Sequence, residues 1–350
     1  MFGRHYNKRS TFLPFVIFRL LLSLIIFVIL MGGLYSALQY FSGVDPLKAD
    51  PRALGAVVIT AIRNPTTTLD SLSKMDFNSL FALSKQNQII QSDNSLSLNP
   101  GSSDAPVNKP VNFSFLLVAD SHNENNYLEK ALQQGKQKAK NLQFVIGLGD
   151  YTDVGTVSEL KNTKQFFDMA GLRYFLVPGD HDLWDARDKK NPPAQNFETV
   201  FGKTSQSFIY SGAKFILFDN ADNYNGVLEN QMQWLSNELN KAKLSDNVSL
   251  IFGFTHKPLY HPSSDHVMGM ETPALKDQAK KIISLLKDAS VNEIFAGDIH
   301  YFTRYIEPIS GLKMTTLGAV ASAKNTQAPR YAVVTVYEDG TYGVEDVEIK

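Results

Sequence analysis

The sequence predicts a layered α/β domain, and three observations carry that reading. After Pro110, apolar strand-like runs alternate with amphipathic helical stretches, the texture of sheets covered by helices. Five of those runs stop abruptly at Asp and His residues. Of the 350 residues 43% are hydrophobic, ample for a packed core, and none is cysteine, which excludes disulfides and thiolate metal sites. The formal net charge of -1 leaves no global basic footprint for nucleic-acid phosphates. No feature fixes an oligomeric state.

The chain opens with Arg4, Lys8, Arg9 and Arg19 and no acid, followed by "LLLSLIIFVILMGGLYSALQYF". A run of about 20 mostly apolar residues is long enough to cross a bilayer as a helix. Basic residues before it, and mixed charges after it at Asp45, Lys48, Asp50 and Arg52, place the N-terminus in the cytoplasm and the remainder outside. A cleaved signal peptide is the competing reading, but its shorter apolar core and small-residue cleavage site are not evident. Residues 1–43 are therefore expected to form a cytoplasmic N-terminus and single-pass transmembrane anchor. Residues 44–110, with the Ser/Asn/Pro/Gly bias of "SKQNQIIQSDNSLSLNPGSSDAPVNKP", are expected to form a linker or juxtamembrane segment. Within it "RALGAVVITAI" is too short to span and is left open between an interfacial helix and a packing element.

Residues 111–350 form the expected globular domain. Its strands are predicted in "FSFLLVAD", "LQFVIGLGD", "RYFLVPGD", "SFIYSGAKFILFDN", "VSLIFGFTH", "VNEIFAGDIH", "LKMTTLGAV" and "YAVVTVYEDGTYGVEDVEI". Helices are predicted in "NENNYLEKALQQGKQKA", "VSELKNTKQFFDMAG", "ENQMQWLSNELNKA" and "TPALKDQAKKIISLLKDA", where apolar residues recur at helical spacing.

The five polar strand endings hold Asp120 and His122, Asp150 and Asp153, Asp180 with His181 and Asp182, His256, and Asp298 with His300. In open α/β sheets the carboxyl ends of strands face the ligand crevice, so distant positions converge there. Any one ending reads equally well as a turn or a structural histidine. Five together point to a metal centre, because crowded carboxylates repel unless cations are present, and oxygen with imidazole ligands suits hard or borderline divalent ions.

The order "DSH", "GDYTD", "GDHD", the first His of "THKPLYH", and "GDIH" resembles the calcineurin-like metallophosphoesterase superfamily, over about Phe113 to Lys350. That pattern runs Asp-x-His, Gly-Asp-x-x-Asp, Gly-Asn-His-Asp/Glu, a lone His, and Gly-His-x-His. The resemblance implies a four-layer α/β/β/α sandwich with two mixed sheets and two divalent metal ions. Carried over by position, Asp120, His122 and His300 would hold the first ion, Asp150 would bridge, and His256, Asp180 and Asp298 would complete the second. His181 would donate a proton to the leaving oxygen, with Asp153 orienting it, and Asp182 reads as a structural partner. The implied chemistry is hydrolysis of a phosphate mono- or diester by metal-activated hydroxide.

Two positions depart from the pattern: Asp180 stands for Asn, and Asp298 for the first His of the last motif. Both are hard ligands, and they leave four carboxylates against two divalent cations, which favours Mn, Fe or Mg with Zn possible. Asn123, Tyr151 and His261 are candidate substrate contacts, with His266 beside His261. The alternative function is a catalytically weak metal-binding recognition module of the same fold.

Overall fold

The computed structural model describes residues 109–350 apart from Lys324. The expected anchor and nearly all of the expected linker lie outside the described residues. Among the described residues no helix is long and apolar enough to cross a membrane.

Among the described residues eleven strands form two sheets. The first has the order β11-β10-β1-β2-β3, with β1 Val111–Val118, β2 Leu142–Gly147, β3 Arg173–Leu176, β10 Arg330–Tyr337 and β11 Tyr342–Glu348. The second has the order β4-β5-β6-β7-β9-β8, with β4 Gln206–Tyr210, β5 Ala213–Leu217, β6 Leu250–Phe254, β7 Glu293–Ala296, β8 Thr303–Ile306 and β9 Lys313–Thr316. Both are mixed: β1, β2 and β3 run parallel while β10 is antiparallel to β1, and β5, β6, β7 and β9 run parallel between two antiparallel edges. The predicted strand regions are all present, and the single "SFIYSGAKFILFDN" run is a hairpin turning at Ser211 and Gly212. β8, Thr303–Ile306, is not predicted, because four residues with polar Thr and Arg carry no apolar run.

Three apolar clusters account for the layers. Phe113, Phe115 and Leu117 of β1 meet Phe215 and Leu217 of β5 and Phe252 and Phe254 of β6 between the sheets. The alternate β1 residues Leu116 and Val118 pack outward against α1 and α2 (Asn125–Lys138 and Val157–Met169) through Leu128, Leu132, Leu160 and Phe167. On the other side, α5 and α6 (Glu229–Lys243 and Leu275–Asp288) cover the second sheet through Leu235, Leu239, Ile282 and Leu286. The sequence of layers is thus helix, sheet, sheet, helix. Such central strands are apolar on both faces, which is why they read as unbroken runs instead of alternating ones. Two short helices, α3 Trp184–Asp188 and α4 Gln195–Phe201, follow β3. Trp234, half-buried on α5, packs against the outer cluster.

The loop after β5 buries a carboxyl whose ionisation opposes folding. Burial pushes the Asp219 carboxyl up to about 6, although it accepts a hydrogen bond from the Ala221 amide. The unfolded chain releases this proton near pH 4 and the folded chain only near pH 6, so stability falls as pH rises between those values. Asp219→Asn keeps the acceptor and removes the ionisation. It is expected to raise stability by about 1–3 kcal/mol above pH 6 and to leave it unchanged below pH 4, as urea unfolding at pH 4 and 8 would show.

Candidate metal centre

The carboxyl ends of β1, β2 and β3 in one sheet and of β6 and β7 in the other bring the five polar endings to one place. Backbone bonds stitch these ends together: Asp120 N donates to Gly149 O at 2.9 Å, His122 N to Asp150 O at 3.0 Å, and Gly297 N to His256 O at 2.9 Å. Glycine makes the approach possible. A side chain at Gly149 would meet the Gly179 backbone and the His256 ring, and one at Gly179 would strike Asp150.

Five of the seven expected ligands, Asp120, His122, Asp150, Asp298 and His300, have φ between 41° and 70°. This left-handed conformation is uncommon outside glycine and is entered most readily by Asn, Asp and His. These left-handed residues lie in the turns that follow β1, β2 and β7, so ligands two residues apart can face one point.

Two groups of four ligand atoms result, buried apart from half-buried His300, each with its atoms within 4.8 Å of one another: Asp120, His122, Asp150 and His300, and Asp150, Asp180, His256 and Asp298. Asp150 belongs to both and divides its oxygens between them. Its Oδ2 lies 3.6 Å from His122 Nε2 and its Oδ1 3.5 Å from His256 Nε2. In the first group the Nε2 atoms of His122 and His300 are 3.3 Å apart. In the second, His256 Nε2 is 3.3 Å from Asp180 Oδ1 and 3.5 Å from Asp298 Oδ1. Ligands bound at about 2.0–2.2 Å to one cation stand roughly 3–3.6 Å from one another, so the donor sets fit two divalent ions.

Hydrogen bonds behind the ligands fix their orientation. His256 Nδ1 donates to Leu148 O at 2.7 Å, which leaves Nε2 to carry the ligating lone pair. Asn223 Nδ2 donates to Asp180 Oδ2 at 2.8 Å, and the Asp298 amide donates to Asp120 at 3.2 Å. Asp182, fully buried, accepts from the amides of Tyr151, Thr152 and Gly179 and from the Thr152 hydroxyl. It ties the second strand end to the third.

The electrostatics are those of carboxylates awaiting cations. Burial raises the Asp120 and Asp150 carboxyls, and like charges nearby add to the rise at both. For Asp298 burial acts upward too, but Lys257, His256 and His266 outweigh it and hold the group well below the usual range. Asp180 is lowered in the same way by His256 and Lys257.

Lys257 is the residue sequence reading does not find. Its side chain is buried, with Nζ 3.3 Å from Asp298 Oδ2 and 3.7 Å from Asp180 Oδ1. Two of the four carboxylates that two divalent ions would balance in charge are thus already faced by a side-chain ammonium. The available signal is its position next to His256 in "THKP", which puts a cation within one residue of a ligand.

His181 follows β3 in a single turn of 3-10 helix. Its Nδ1 donates to the Asp153 main-chain carbonyl at 2.7 Å and its ring stacks on Trp184 with centroids 3.7 Å apart. The Asp153 main-chain carbonyl thus holds one edge of the His181 ring in place. The Asp153 carboxylate lies 3.7 Å from His122 Nδ1 and accepts from Asn123 Nδ2 at 3.0 Å. Asn123 also donates to Glu159 at 2.7 Å, so its amide nitrogen serves to brace the first group.

Two expected substrate contacts do not reach the centre. Tyr151 is 1% exposed and donates its hydroxyl to Val177 O, because the residue after the ligand Asp150 points back into the core beside Phe167. His261 is buried against Tyr305 and accepts from the Ser263 amide. Its neighbour His266 reaches the centre instead, 3.0 Å from Asp298 Oδ1. A cleft of about 500 Å³ lies over the two groups, lined among others by His122, Asp150, Asp180, His181, Trp184, His266, Glu271, Asp298 and His300.

Comparison with known proteins agrees with this geometry. Residues 113–302 match the family model described as calcineurin-like phosphoesterase. A dimetal phosphatase from Danio rerio superposes with a TM-score of 0.52 at 19% identity, covering 69% of this chain and 99% of that one. A purple acid phosphatase from yellow lupin, Lupinus luteus, superposes with a TM-score of 0.50 at 14% identity, covering 70% of this chain and 53% of that one. At such identities the likeness is one of fold. No curated protein matches by sequence.

Proposed function

Because this chain belongs to the calcineurin-like phosphoesterase family, we propose that it hydrolyses a phosphate mono- or diester at the paired ligand groups, held to a membrane by its N-terminal apolar run. The observation that carries the reading is Asp150, whose two oxygens face the two groups. The ions supply phosphoryl polarisation and activation of water when bound. Asp120, His122 and His300 would hold one, His256, Asp180 and Asp298 the other, and Asp150 would serve both.

The chain's own residues do the rest. A carbonyl only accepts, so the Asp153 carbonyl keeps a proton on His181 Nδ1 and leaves Nε2 as the titrating atom. The Trp184 face beneath the ring holds its plane, with centroids 3.7 Å apart. His181 Nε2 delivers a proton to the departing alkoxide. Retention of a positioned proton donor favours catalysis over pure recognition.

The test is hydrolysis of p-nitrophenyl phosphate and bis-p-nitrophenyl phosphate by the full chain in detergent. Activity is expected to vanish after chelation and return with Mn²⁺, whereas metal binding without hydrolysis of either ester would leave only a recognition module. The predominance of carboxylates favours Mn, Fe or Mg over Zn. Tight, stoichiometric zinc alone in protein purified without added metal would reverse that preference. The membrane tether rests on the apolar run Leu20–Phe41 after its basic flank. Recovery of the chain in the soluble fraction after cell lysis would count against it.

A further inference from the structure

We propose that Lys257 is a resident cation of the second ligand group, sharing its carboxylates with the incoming divalent ion and making that ion the weakly held, exchangeable one of the pair. The inference rests on the dinuclear reading above. By donor charge alone the second group, with Asp150, Asp180 and Asp298 against the two carboxylates of the first, would be the tighter site. An ammonium 3.3–3.4 Å from both oxygens of Asp298 and 3.7 Å from Asp180 Oδ1 cancels that excess of charge and, by occupying oxygens the ion needs, turns the order round. It satisfies part of the negative charge before a metal arrives and repels a divalent ion from within a few ångströms.

Lys257 is held there by design of the surrounding chain. Its side chain is 5% exposed, so water screens the repulsion weakly. Its main chain is clamped on both sides by Asn220, which is fully buried: Lys257 N donates to Asn220 Oδ1 at 2.9 Å, and Asn220 Nδ2 donates to Lys257 O at 2.8 Å. Both polar atoms of the Asn220 side-chain amide are used on Lys257, with a further contact from Nδ2 to Met268 Sδ at 3.9 Å. His266 and Asn223 touch Asp298 and Asp180 from outside, so each carboxylate peculiar to this group already has protein partners of its own.

Titration of the metal-free full chain in detergent with Mn²⁺ alone, followed by calorimetry and by metal analysis after dialysis, tests this without reference to turnover. The wild type is expected to show two steps separated by about tenfold or more in affinity, retaining close to one ion per chain after dialysis. Lys257→Met should tighten the weaker step by about tenfold or more and retain close to two ions, while Lys257→Arg, which keeps the charge, should keep the weak step. Two wild-type steps of equal affinity would overturn the inference whether or not the variants fold. So would a folded Lys257→Met variant with unchanged metal steps and an altered KM for p-nitrophenyl phosphate, which would make the lysine a substrate contact. Absence of any Mn²⁺ binding in the wild type would instead remove the dinuclear reading itself.

Discussion

Asp150→Ala is expected to strip the protein of metal as well as activity. Asp150 is the one residue present in both ligand groups, so its loss removes a donor from each and the bridge between them. Bound metal should fall below about one ion per chain, and hydrolysis by more than about a thousandfold. A second readout separates this from misfolding. Mn²⁺ at 100 to 1,000 times its dissociation constant should stabilise the wild type by about 3–4 kcal/mol, seen as a rise in melting temperature, and the variant should show almost none. In the metal-free state the order reverses. The Asp150 carboxyl is raised by burial and by the neighbouring acids, so its ionisation opposes folding at neutral pH. Asp150→Asn, which keeps the shape and tolerates the left-handed backbone, should melt no lower than the wild type without metal. A variant that keeps both ions would remove Asp150 as the bridge.

His181→Ala is the complementary case. His181 belongs to neither ligand group, so metal content should stay near the wild-type value while kcat falls about a hundred- to ten-thousandfold. The structure adds a discriminating partner. Because the Asp153 main-chain carbonyl holds His181 Nδ1 and survives truncation of the side chain, Asp153→Ala should keep the proton-transfer step. Its loss should appear as weaker metal binding, on the order of tenfold, through the altered surroundings of His122. Metal titration and kcat on p-nitrophenyl phosphate, measured on both variants, distinguish the two roles. A kcat for Asp153→Ala as low as that for His181→Ala would make the carboxylate the orienting group.

The expected ligands were legible because each lies at the end of a strand that is itself an apolar run. Asp120, Asp150, Asp180, His256 and Asp298 needed only the rule that strand ends converge. On the connecting loops the reading was partial: His266 was named only as a candidate substrate contact, and Asn223 was not found. Asn223 reaches Asp180 from the loop before α5, and His266 reaches Asp298 from the long segment before α6. His261 sits five residues earlier and turns away, which no periodicity announces. Tyr151 shows the opposite error: proximity to a ligand in sequence suggested exposure, but its backbone follows Asp150 through a left-handed turn and its ring enters the core. Lys257 was hidden because the charge count included acids and ions and no side-chain cation. The four longer helices were read from apolar residues recurring at helical spacing, whereas α3 and α4 are too short for a periodic signal, and the capping box of Thr156 and Glu159 that starts α2 appears only in the structure.

The left-handed turns at the ligands carry a consequence for how such a centre varies. Asp, Asn and His are the side chains that enter this backbone region at least cost, and they are also the side chains that bind hard and borderline ions. Main chain and metal therefore admit nearly the same small alphabet at each of these positions. At 298, where φ is 70°, an aspartate can stand where the related pattern has histidine without the turn moving. Charge and hardness at the centre are consequently adjustable in single-residue steps on a fixed scaffold, so a family of one fold can retune its metal preference without rebuilding the site.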